Sequence, residues 1–76
     1  MKPNTKICTD AKIYVMINDM SRVGLLDALA GYRGHYHNIG RTTAQLRARL
    51  RYAYEHGRIP SGEIAWAWET DEEHQP

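Results

Sequence analysis

Apolar and polar positions along this chain alternate with different periods in different stretches. In residues 12–17, Ile13, Val15 and Ile17 would share one face of an extended strand, with Lys12, Tyr14 and Met16 on the other. The same stretch fits a helix, because Ile13, Met16, Ile17 and Met20 fall at i, i+3, i+4 and i+7 behind Thr9 as a cap. Both readings stand: helix if the fold is winged, strand otherwise. Asn18 and Asp19 interrupt the pattern, and Ser21 is a suitable cap for a helix over roughly 22–32. Val23, Leu26, Leu29 and Ala30 form its apolar stripe, Leu25 adds to it, and Gly31 and Gly34 supply stop signals. Residues 33–41 then read as a polar, glycine-punctuated loop with Ile39 turned inward.

The clearest element follows. Thr42 and Gln45 have the spacing of a capping box, and the helix they open runs to about His56, where Gly57 and then Pro60 end it. At about 100° per residue, Leu46, Leu50 and Ala53 form a narrow stripe facing the core, with Thr43 and Tyr54 at its edge. Arg47 and Arg51 border that stripe on one side and Arg49 on the other. Arg41, Gln45, Ala48 and Tyr52 point away from it. Residues 60–62 are a turn, and residues 63–69 alternate as a strand with Ile64, Trp66 and Trp68 on one face. The first eight residues are expected to fray, and residues 70–76 to form an acidic, disordered tail.

These elements predict one small α+β domain over residues 1–69. The helix at 42–56, with its two leucines spaced by four, leads through Tyr54, His56-Gly57 and Ile59 into a turn and a strand. Over about residues 42–69 that pattern resembles winged helix-turn-helix DNA-binding domains. The resemblance implies a winged-helix-like fold of two or three helices plus a C-terminal strand. It also implies that the basic helix docks in the DNA major groove. A ribbon-helix-helix or other β-α-α-β arrangement is the alternative, with the strand at 12–17 pairing across a dimer.

Composition narrows the function classes. In a chain of 76 residues a deep catalytic pocket would consume much of the core, and dimerisation would ease the shortage of buried apolar area. All ten Lys and Arg lie in residues 1–62 beside only Asp10, Asp19, Asp27 and Glu55, whereas residues 63–76 carry five acids and no Lys or Arg. A basic body suits a polyanion, and an acidic end can oppose or tune that binding. Phe is absent, and five Tyr and two Trp supply large side chains with a polar tip. Cys8 is the only cysteine, so no intrachain disulfide and no paired-thiolate metal site can form. With no apolar run of membrane-spanning length, the expected compartment is the cytoplasm. His35 and His37 form an H-x-H pair without further ligands at helpful spacing, so neither metal nor cofactor is expected. No nucleophile elbow, phosphate loop or paired-carboxylate motif marks an enzyme.

The expected function is therefore a small DNA-binding regulatory protein, of the size of phage or mobile-element regulators of transcription. Arg41, Thr42, Thr43, Gln45, Arg47, Arg49, Arg51 and Arg58 are its candidate DNA contacts. The alternative is a small inhibitor or adaptor that binds a host nucleic-acid enzyme, with Tyr32, Tyr36, Tyr52, Trp66 and Trp68 as anchors. The two tryptophans have a second, structural reading as part of the core.

Overall fold

Residues 63–69 form a helix, and so do residues 12–17. The computed structural model describes residues 9–32 and 35–72, apart from the side chains of His35 and Tyr36. Among these residues there are five helices and no strand: α1 (Asp10–Asp19), α2 (Arg22–Leu29), α3 (His35–Ile39), α4 (Thr43–Glu55) and α5 (Ser61–Glu69). The expected α+β class is overturned. Without a C-terminal strand there is no wing, and without a strand at 12–17 neither the ribbon-helix-helix arrangement nor another β-α-α-β fold can form.

The physical reason lies in two periods that short segments satisfy together. In residues 63–69, Ile64, Ala67 and Trp68 also fall at i, i+3 and i+4, and alanine at 65 and 67 favours helix. Ile64 and Ala67 are buried and Trp68 packs against the core, while Trp66 points outward and is 55% exposed. Pro60 precedes the first turn and its carbonyl accepts from the Glu63 and Ile64 amides at 3.1 and 3.4 Å. At 12–17 the helical alternative holds: Thr9 Oγ1 accepts from the Lys12 amide at 3.3 Å, and Ile13, Ile17 and Met20 are buried. With 12–17 coiled, a strand at 63–69 would have no ladder partner for its backbone groups.

The core is built from every long helix. Ile13 and Ile17 of α1 meet Leu25, Ala28 and Leu29 of α2, Leu46, Leu50 and Ala53 of α4, and Ile64 and Ala67 of α5. α1 packs on α4 and α5, and α2 on α3, α4 and α5. The stripe on α4 is the one its sequence pattern gives. On α2 the buried face is rotated: Gly24, Leu25, Ala28 and Leu29 are inside, while Val23 and Ala30 are exposed.

Gly24 belongs to that buried face. The carboxylate of Asp71 lies over the start of α2, accepting from the Ser21 amide at 2.8 Å and the Ser21 hydroxyl at 2.7 Å. A Cβ at position 24 would stand 2.5 Å from Asp71 Oδ2, so only glycine lets the carboxylate reach the helix end. There it meets the partial positive charge of unsatisfied amides. Asp71 is itself buried, so the packed domain extends at least this far beyond α5. Residues 1–8 and 73–76, and with them Cys8 and Glu73 of the acidic end, lie outside the described residues.

The expected loop at 33–41 contains α3. Asn38, buried, donates from Nδ2 to the carbonyls of Leu29 and Tyr32, both at 3.2 Å, and so ties α3 to the end of α2. Ile39, expected inside, is 44% exposed, because Asn38 occupies the inward position. No helix among the described residues is long and apolar enough to cross a membrane.

Candidate functional site

The arginines of α4 divide into two groups with different surroundings. Arg47 reaches across to the C-terminal end of α1, donating from Nε to the Ile17 carbonyl at 3.2 Å and from Nη2 to the Met20 carbonyl at 2.9 Å. Those are end-of-helix carbonyls that lack intrahelical partners, and a cation there also complements the helix dipole. One turn on, Arg51 donates to Asn18 Oδ1 at 3.4 Å and stands 5.4 Å from the Tyr14 ring centroid. Tyr14 donates its hydroxyl to Glu55 Oε2 at 2.7 Å, and Tyr54 donates to Asp10 Oδ1. The two tyrosine rings meet edge to face at 5.9 Å. The Glu55 carboxylate accepting its hydroxyl raises the Tyr14 pKa above the ordinary 10.0, and the charges of Glu55 and Asp10 act in the same direction. This side of α4 is a seam with α1.

The opposite side of α4 is open. Arg41, Gln45, Ala48, Arg49 and Tyr52, together with Tyr32 and Arg58, line a shallow groove of about 580 Å³. The groove exists because of spacing and size. Positions 41, 45, 48, 49 and 52 recur on one helical face, and at its centre Ala48 projects only a methyl group. Three of the seven lining residues are arginines and none is acidic.

The side walls are fixed by the backbone. At the end of α4 the Arg58 amide donates to the Ala53 carbonyl at 2.8 Å and the Gly57 amide to the Tyr54 carbonyl at 3.1 Å. This pair of bonds, with Gly57 at φ 70°, is a Schellman motif. It sets Arg58 immediately beyond the helix, while Ile59 is buried and anchors the turn. On the other wall the Tyr32 amide donates to the Leu29 carbonyl at 2.8 Å, and the Tyr32 carbonyl accepts from buried Asn38. Arg41 is held by its Nε donating to the His37 carbonyl at 3.1 Å. Its own carbonyl accepts from Arg22 Nη1 at 2.6 Å, while Arg22 Nη2 donates to the Ile39 carbonyl at 2.7 Å. Tyr52 is 54% exposed, and His56 backs its ring at a centroid distance of 4.0 Å.

The eight candidate DNA contacts are thus not one surface. Arg41, Gln45, Arg49 and Arg58 converge on the groove, whereas Arg47 and Arg51 lie on the α1 side. Thr42 and Gln45 form the capping box: the Thr42 amide donates to Gln45 Oε1 at 2.9 Å, and the Gln45 amide to Thr42 Oγ1 at 3.1 Å. Thr43 opens the first turn, half-buried. Tyr32 and Tyr52, candidates for a protein partner, line the same groove as the arginines. The Tyr36 side chain lies outside the described residues. Trp68 donates from Nε1 to Asp19 Oδ2 at 3.3 Å and joins α5 to α1, so the two tryptophans do not share a face. The sequence pattern gave no signal for Arg22, whose role is to brace the turn before α4. Among the described residues no cluster of His, Cys, Asp and Glu is arranged to hold a metal ion.

Compared with known proteins, the chain matches no family model, no curated protein and no solved structure.

Proposed function

We propose that this chain is a nucleic-acid-binding protein, with DNA as the favoured polymer, and that the outer groove of α4 is its contact surface. The observation that carries this reading is the convergence of Arg41, Arg49 and Arg58 with Gln45, Tyr32 and Tyr52 on one open groove without an acidic lining residue. Guanidinium groups pair with phosphate in a fork geometry, and the exposed Tyr52 ring offers a face to a base. These are groups that hold a polyanion, so the proposed role is binding, in keeping with a small regulatory factor that meets DNA in the cytoplasm.

Fluorescence anisotropy with a labelled DNA that joins a duplex to a single-stranded overhang tests the reading for either strand state. Binding should weaken as salt rises, with a log–log slope of roughly −2 to −3 for three phosphate contacts. Substituting Arg49 and Arg58 together by alanine should flatten that slope by about 1.5 to 2. A slope unchanged in the double variant would remove the groove from the interface.

One observation favours a second surface. Trp66 stands on the outer side of α5, and exposed tryptophans are frequent anchors for protein partners. Trp66→Ala should leave DNA binding intact if that surface serves a protein.

A further inference from the structure

We propose that the groove holds an unpaired strand, so that this protein binds single-stranded DNA in preference to duplex; the proposal rests on the nucleic-acid reading above. Three features of the groove lead to it.

The first is shape. A helix that reads duplex DNA protrudes and enters a major groove about 12 Å wide. Here the outer face of α4 is instead the floor of a concavity, with Tyr32 from beyond α2 and Arg58 from beyond α4 beside it. A shallow, open groove of this kind can seat a thin, flexible strand along its length.

The second is stacking. Tyr52 sits on the groove, half-exposed, with one side of its ring backed by His56 at 4.0 Å. A ring supported in this way loses little freedom when a base lies on its open side. Tyr32, partly buried and packed against the core, lines the same groove. Bases in a duplex are already stacked on one another, so such platforms are useful only to unpaired ones.

The third is adjacency. Tyr32 and Arg58 also line a second cleft of about 240 Å³, formed with Ala28, Gly31, Ile59, Pro60 and the acidic Glu63. The two concavities are neighbours, with that pair of residues common to both linings. Neighbouring concavities with arginines and the exposed Tyr52 ring in the larger one suit a single strand that runs along the surface.

The test compares a labelled oligothymidylate of about 12 nucleotides, within the range that single-strand-binding modules cover, with a blunt duplex hairpin of equal charge. The single strand should bind at least about tenfold more tightly, the scale of one or two stacked bases. Tyr52→Leu removes the ring and keeps an apolar side chain. It should reduce single-strand affinity by about tenfold and leave duplex binding unchanged. Tyr52→Trp, which keeps a stacking face, should retain the single-strand affinity, and circular dichroism melts of both variants verify the fold. Equal or tighter binding of the duplex, with Tyr52→Leu silent, overturns this proposal while the nucleic-acid reading survives. Failure of both DNAs and of the overhang probe to bind at low salt overturns the two together.

Discussion

Arg47 and Arg58 belong to one short stretch of chain and carry the same charge, yet the structure gives them opposite surroundings. Arg47 spans the gap between α4 and α1 and is engaged by two main-chain carbonyls. Arg58 is exposed on the groove, and its position is fixed through its backbone by the Schellman motif at Gly57. The difference teaches that a basic helix is not a unit of function. A guanidinium close to the end of a neighbouring helix becomes part of the fold, and one held at a turn is presented to solvent.

The largest effect that would break this contrast is on stability at the seam. Arg47→Ala leaves the carbonyls of Ile17 and Met20 without their charged donor, at a cost of about 1.5–3 kcal/mol. Urea unfolding should show it as a lower midpoint with an unchanged slope, while the DNA binding proposed for the groove should be unaffected. If Arg47→Ala left the midpoint where it was and weakened DNA binding, the assignment of seam and groove would be reversed.

Arg58→Ala is the mirror experiment. Its unfolding midpoint should match wild type to within about 0.5 kcal/mol, as for most exposed substitutions. Its single-strand affinity should fall, and its log–log salt slope should flatten by about 0.7, the contribution of one phosphate contact on a single strand. A smaller effect sharpens the picture of the seam. Tyr54→Phe removes the hydroxyl that donates to Asp10 and keeps the ring against Tyr14, so it should cost about 0.5–1.5 kcal/mol in the same urea assay.

The sequence made α4 legible because several signals agree there. The capping box, the Leu46–Leu50–Ala53 stripe and the stop at Gly57 all point to one helix with one inner face. The outward set Arg41, Gln45, Ala48 and Tyr52 follows from the same periodicity, and it is the floor of the groove. Residues 63–69 were misleading because seven residues fit both a period of two and a helical stripe, and nothing local decides between them. The outcome depended on whether residues 12–17 would offer a strand to pair with, which is a tertiary matter. The division of the arginines was hidden for a related reason. Arg47 lies on the α1 side only because α1 is a helix whose last carbonyls end beside it, and no pattern within α4 records that. Likewise Asp71 reads as one more acid of a solvated tail until Gly24 places a bare backbone beneath it.

The smallest effect concerns pH. Glu55 accepts the Tyr14 hydroxyl proton in a hydrogen bond, which holds the folded-state pKa of Tyr14 above its ordinary 10.0. In the unfolded chain Tyr14 loses its proton near that ordinary value. Between the two values the folded protein therefore binds more protons than the unfolded one, and stability must fall as pH rises through this window. Below pH 10 both states keep the phenol protonated and Tyr14 contributes no slope. Because the pair is exposed to solvent the effect is modest, and salt should have little influence on its hydrogen-bonded part. Urea midpoints measured from pH 8 to 11 should decline more steeply above pH 10 for wild type than for Tyr14→Phe. If the two proteins declined in parallel, the Tyr14–Glu55 contact would not form in solution, and the seam would be held by Arg47, Arg51 and Tyr54 alone.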